Sequence, residues 1–298
     1  MSRRVVICIA LRRSGTTLIW RTFRQLLHLY CLDEPFNPFL YALPRENAKQ
    51  VCGEFIVKYL ENPEEFRSRF APIAPCCEPD PRLTDAQAAY LQWLIEGHDC
   101  VFTDITRCHF KLESLYSALP EATIVHLYRS PENFASSHLL PRRSGTRVQD
   151  RLHNLRDRSD FFTRRDRLGG WGMGEILDVA PYSQLRERFK SLGIDERAYD
   201  NLPAFAKLMA YWWIAYREVD KTGARLYGEH FISVPFSRFC QQPQEVVDQV
   251  LATAGVPGGK IDSSAIHSES PPYQPEHAHW REWRERLGIP EHLSWRTS

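Results

Sequence analysis

RVVICIALRRSGTTLIW, residues 4–20, changes its period in the middle, and the fold follows from where it changes. Residues 4–11 are a short apolar run rich in β-branched side chains, which reads as a buried strand followed by a turn. From Thr16 the apolar residues recur at helical spacing. Ile19, Phe23, Leu26, Leu27 and Tyr30 would share one face, with a break at Asp33-Glu34-Pro35. Between the two periods lies Arg12-Arg13-Ser14-Gly15. The unit is a strand, a polar loop and a helix, with cations and hydroxyls delivered to the junction.

The same alternation continues along the chain. CVFTDI (100–105), ATIVHLY (122–128) and HFISVPF (230–236) read as further buried strands. Helices are expected near 62–70 and 84–96, over 109–119, after Pro131, over 202–221, and over 242–255 with Gly255 as the C-cap. Strands alternating with helices predict an α/β protein: a P-loop-like parallel sheet flanked by helices on both faces. Ligands of such sheets bind outside the carboxyl ends of the strands. Residues 140–200 lose the rhythm. Their arginines, from Arg142 to Arg167, precede GGWGMG at 169–174, and the stretch reads as an irregular Arg-rich insertion shaping the acceptor site. No repeat or linker divides the chain, so one domain is expected over 1–298.

Bulk properties narrow the function classes. Lys+Arg number 38 against 37 Asp+Glu, so net charge makes no case for nucleic acid or a membrane surface as partner. No uninterrupted apolar run approaches the roughly 18 residues a membrane span needs. The opening MSRRVVICIALRRSG resembles a secretory signal only superficially, because Arg12 and Arg13 interrupt it and no small-residue cleavage site follows. Eight cysteines lie scattered without CxxC spacing, as expected of reduced thiols. A soluble, cytoplasmic protein is expected.

Two strand ends carry the chemistry. The first N–H groups of a helix lack partners, and the helix dipole places about half a positive charge there. Gly15 permits close backbone approach, Ser14, Thr16 and Thr17 add hydroxyls, and Arg13 adds a permanent cation. The combination suits a phosphate. It is no Walker A loop, since GxxxxGK[ST] is absent, which disfavours magnesium-dependent nucleotide chemistry. The second element is YRSPENFASS, where Arg129 leaves a strand and Ser137 follows eight residues later. An arginine and a hydroxyl so placed would hold a second phosphate. His267, His277 and His279 form no closed ligand set, and no metal is expected.

With these residues in hand, RRSGTTLIW resembles the 5′-phosphosulfate loop of sulfotransferases that use 3′-phosphoadenosine 5′-phosphosulfate. YRSPENFASSH resembles that family's 3′-phosphate motif. VPFSRFCQQPQEVVDQVLATAGVP (234–257) is similar to its strand–helix segment ending LG(L/I)P, with Phe236 where the family has tyrosine. The motifs occur in the family's order. The resemblance covers most of 1–139 and 203–257.

The resemblance implies a sulfotransferase moving a sulfuryl group from that donor, without metal, to a hydroxyl or amine of a small molecule or glycan. Arg13, Ser14, Gly15, Thr16 and Thr17 would bind the 5′ end, and Arg129 with Ser137 the 3′-phosphate. Arg13 would also stabilise leaving-group charge, electrostatically only. Glu34, placed as in tyrosylprotein and carbohydrate sulfotransferases, would be the general base, partly buried by Pro35, Phe36 and Phe39. Arg107 stands where cytosolic relatives have a histidine, with His109 two residues on, so a histidine base of that type is not expected. The alternatives are a phosphonucleotide-binding protein without catalysis, and a P-loop kinase. Acceptor identity and oligomeric state are not legible.

Overall fold

The computed structural model describes residues 3–38, 40, 62–138, 183–264, 266, 278–291 and 293. Their sheet has five strands: β1 (Arg4–Ile9), β2 (Tyr30–Asp33), β3 (Cys100–Ile105), β4 (Thr123–Tyr128) and β5 (Phe231–Pro235). All pairings are parallel, in the order β2-β3-β1-β4-β5. The Arg-rich stretch from 142 to 167 and GGWGMG lie outside the described residues.

Alternation along β1 explains why both faces are covered. Val5, Ile7 and Ile9 join a core completed by α2 (Pro63–Arg69), α3 (Asp85–Ile95) and α4 (Leu112–Ala118). Val6, Cys8 and Ala10 join the opposite core, with α1 (Thr16–Phe23), α9 (Phe236–Gln241) and α10 (Pro243–Thr253). A strand apolar on both faces is what a helix-covered parallel sheet requires.

A third core sits at the carboxyl end of the sheet. The helix α8 (Ala204–Tyr227) has 24 residues, so it runs about 36 Å, whereas a six-residue strand spans about 20 Å. Its C-terminal part packs on the sheet through Val219 and Tyr227. Its N-terminal half buries Phe205, Met209 and Trp212 against Leu11, Phe110 and Tyr128, all at or just beyond strand ends. Two helices from the stretch expected to be irregular join it: α6 (Ser183–Lys190) and α7 (Glu196–Asp200). They and the turn between them bury Leu185, Phe189, Ile194 and Tyr199 in this core, and Arg188 pairs with Glu218 of α8 at 2.8 Å. Beside α5 (Pro131–His138), the tail helix α11 (Ala278–Arg286) is tied on by Arg284 to Glu132 at 2.8 Å.

Two boundaries differ from the sequence reading. The first helix ends at Phe23, not near Asp33. Short turns then link Gln25 to Thr22, Leu26 to Phe23 and Leu29 to Leu26, and Tyr30–Asp33 form the edge strand, in register with Val101–Asp104. Pairing with β3 overrides a helical pattern that holds only locally, and Leu27, expected on the apolar face, is 98% exposed. At the other edge β5 stops at Pro235, and Phe236 opens α9.

Candidate functional site

The loop after β1 is a tight turn in which the Ser14 N–H donates to the Leu11 carbonyl at 3.1 Å. Arg13 takes a left-handed backbone, φ 67°, and Gly15 follows at φ 99° as the N-cap of α1. Neighbouring arginines thereby part: Arg12 is buried and Arg13 is exposed. No side chain caps α1 and no acid stands in its first turn, so the helix start keeps its positive field. Thr17 is exposed beside it, while Thr16 is buried. Ser14 is fully buried, and its hydroxyl, without a hydrogen-bond partner, lines a narrow pocket beneath the loop.

Arg129, half-buried at the end of β4, meets this loop across one aromatic ring. Its guanidinium carbon lies 4.2 Å above the centre of the Phe236 ring. A Cβ on Gly15 would collide with that same ring. Glycine is therefore required twice at position 15, for its backbone angle and for its contact. Burial lowers the pKa of Arg129; Cys240 pulls it back, and the charge of Arg13 lowers it again. The two cations thus lie within each other's field at neighbouring strand ends, an arrangement that an anion between them stabilises. Ser137, on α5, donates its hydroxyl to the Phe134 carbonyl at 2.6 Å, so a phosphate would have to turn that hydroxyl away. The helix itself is capped by Ser130, whose Oγ accepts the Asn133 N–H at 3.2 Å.

Glu34 leaves the end of β2 rather than a helix. Its φ of 45° is left-handed, and Arg13 and Glu34 are the non-glycine residues with positive φ among the described residues. Such backbone costs on the order of 1–3 kcal/mol and clusters at functional sites. The Glu34 N–H donates to Asp104 Oδ1 at 3.0 Å, and Asn37 Nδ2 donates to Glu34 Oε2 at 3.3 Å. Asp104 is wholly buried; burial raises its pKa well above the usual range, the Asp33 and Glu34 charges raise it further, and the Glu34 N–H opposes them. Pro35 and Phe36 are buried beside Glu34; Phe39 lies outside the described residues. Since β3 separates β2 from β1, the strands that carry Glu34 and the loop lie two strand spacings apart, about 10 Å.

Beneath the two loops lies a charged layer that the sequence reading did not assemble. Arg12, Glu78 and Arg107 are 6%, 0% and 4% exposed, and both arginines pair with Glu78 Oε1. Nearby His109 is 1% exposed, with Nε2 2.9 Å from the Tyr211 hydroxyl. Its Nδ1 has no hydrogen-bond partner, and the ring lines the same pocket as Ser14.

The buried histidines have a measurable consequence. Burial holds His109 well below the ordinary imidazole pKa, with Arg12 adding to the effect, and burial pushes His126 down to about 3. Each is neutral when folded but takes a proton below about pH 6.5 when unfolded. Their stabilisation is complete above that pH and is lost as pH falls, at about 1.4 kcal/mol per pH unit for each. Asp104, whose raised pKa favours the folded state as pH falls, opposes this, so the test is the difference between two proteins: between pH 6 and 5 the unfolding free energy of His126→Gln from urea titration should fall by about 1.4 kcal/mol less than that of the wild type. An unchanged slope in that variant would mean that His126 is charged in the folded state.

No family model matches the sequence, and no curated protein does. The chain is similar to solved sulfotransferase structures. The sulfotransferase domain from the curacin biosynthetic pathway is 15% identical, over 96% of this chain and 99% of that one, with a TM-score of 0.41. The domain from the Synechococcus PCC 7002 olefin synthase is 14% identical, over 99% and 91%, at 0.42. The sulfotransferase from Alicyclobacillus acidocaldarius is 16% identical, over 96% and 94%, also at 0.42. At these values the likeness assigns no residue a role.

Proposed function

We propose that the protein is a sulfotransferase that takes its sulfuryl group from 3′-phosphoadenosine 5′-phosphosulfate and passes it to a hydroxyl or amine of a small molecule or glycan. It would act as one domain, in the cytoplasm, with residues 140–200 shaping the acceptor site. The observation that carries this is the cluster of Arg13, Gly15, Phe236 and Arg129, in which two strand ends bring separate cations around an uncapped helix start. A donor with phosphates at both ends of its ribose needs two such points. Arg13, Thr17 and the amides of Gly15 to Thr17 would hold the 5′ end, and Arg129 with a turned Ser137 the 3′-phosphate.

In the reaction the acceptor oxygen or nitrogen bonds to sulfur while the bond from sulfur to the bridging oxygen breaks. Negative charge then grows on the 5′-phosphate, where Arg13 and the helix start are already oriented. Glu34 takes the acceptor proton. The roughly 10 Å between the strands that carry Glu34 and the loop leaves room for a sulfuryl group and the attacking atom.

The product nucleotide, 3′-phosphoadenosine 5′-phosphate, tests this without an acceptor. At a hundredfold excess over its dissociation constant it should stabilise the fold by about 2.7 kcal/mol, and AMP should do markedly less. Equal thermal shifts from the two would remove Arg129 and Ser137 from the 3′ role. A requirement for ATP and magnesium would instead indicate a kinase, and tight nucleotide binding without transfer a binding protein.

A further inference from the structure

Two arginines from different loops share a single buried carboxylate oxygen, Glu78 Oε1. That is an expensive arrangement to bury, and apolar residues of similar volume often stabilise such a site as well or better. Stability alone therefore does not account for it. The position of each member does.

Glu78 ends a short turn, Pro75–Cys77, and its own N–H bonds to the Pro75 carbonyl at 3.2 Å. Lys111, just before α4, clamps that turn by donating to the Cys77 carbonyl at 2.8 Å and the Asp80 carbonyl at 2.5 Å. The carboxylate is thus anchored on the β3 side of the sheet. From there it reaches Arg12 in the loop after β1 and Arg107 just beyond β3. Arg12 is bonded to Arg13, whose left-handed backbone throws the two side chains apart. Holding Arg12 inward therefore aims Arg13 outward. On the other side Arg107 lies in the field of Glu34, whose charge favours the guanidinium against the burial that opposes it.

We propose that Glu78 is a positioning residue: by holding Arg12 and Arg107 together it fixes the anion loop after β1 against the chain just beyond β3. The proposal rests on the sulfotransferase reading for what is positioned, but the mechanical link can be measured without it. In the folded wild-type protein, an arginine-specific dicarbonyl should label Arg13 quickly and leave Arg12 and Arg107 protected; Arg12 labelled as fast as Arg13 overturns the link. Glu78→Gln should raise amide hydrogen exchange at residues 13–18 at least tenfold, with exchange in α3 and α8 unchanged. It should also weaken 3′-phosphoadenosine 5′-phosphate binding at least tenfold by calorimetry, and Glu78→Asp should recover part of both.

Should the glutamine variant fail to fold, the triple variant Arg12→Met, Glu78→Leu, Arg107→Met carries the comparison. It should be at least as heat-stable as the wild type and still show fast exchange at 13–18. Either variant, folded and with wild-type loop exchange, overturns the proposal. Absence of nucleotide binding in the wild type would count against the sulfotransferase reading instead, since the labelling and exchange results do not depend on it.

Discussion

Glu34→Gln should leave donor affinity unchanged and lower the transfer rate by roughly two to four powers of ten, the range expected for loss of a general base. The substitution keeps the shape of the site. The bond that fixes position 34 comes from its backbone N–H to Asp104, and a glutamine carbonyl can still accept from Asn37. What disappears is the proton acceptor and one countercharge to Arg107. The backbone offers a second, independent probe. With φ at 45°, Glu34→Gly relieves left-handed strain while removing the carboxylate. If the strain is held for function, that variant should be more stable than the wild type and equally slow. The measurement is transfer of radiolabelled sulfuryl group to a panel of alcohols, phenols and amines, beside donor binding by calorimetry. Near-normal turnover in the glutamine variant would sink Glu34 as the base and direct attention to His109, whose ring lines the pocket under the loop and whose Nδ1 has no hydrogen-bond partner.

How much of this was legible depends on how local each feature is. The loop after β1 and the arginine after β4 could be read directly, because strand, turn and helix signals lie within a dozen residues of one another. Their meeting across Phe236 could not, since it joins positions 15, 129 and 236 through the sheet order. The sequence puts Glu34 after a helix, whereas it follows an edge strand. A four-residue edge strand that opens on Tyr30, which also fits the helical spacing, carries no decisive period, and only pairing with β3 selects it. The charged layer was the least accessible. Arg12 is one of two adjacent arginines in the loop, Arg107 stands where the family resemblance would put a histidine, and Glu78 lies among the prolines at 72, 75, 79 and 81. Nothing local distinguishes a carboxylate destined for burial from one at the surface. The one available signal was two consecutive arginines directly after a buried strand, because both cannot face the same way from one turn. The segment 183–200 was misjudged for a different reason: its helices are short, and their apolar faces have meaning only against the overhanging half of α8.

Arg13→Ala should weaken donor binding and lower the rate, the latter by roughly 10²–10³, as for removal of one preorganised donor at a developing charge. The variant is a clean one. Alanine bears the same left-handed backbone cost as arginine, so the loop is neither relieved nor further strained. Arg13 is also exposed, so its removal leaves no cavity. The two losses follow from one cation serving both states in the proposed reaction: it would face the 5′-phosphate in the ground state and the growing charge on that phosphate as sulfur departs. A second effect should accompany them. Arg13 lowers the pKa of Arg129 through repulsion, so without nucleotide the alanine variant should be slightly more stable than the wild type, and the nucleotide should stabilise it less. Arg13→Lys should recover part of the rate, since a point charge remains but the planar fork is lost. Rates and affinities measured on the three proteins separate the possibilities. If affinity falls and the rate at saturating donor does not, Arg13 holds the donor without assisting its cleavage, and the charge on the leaving oxygen must be met by the amides at the start of α1 alone.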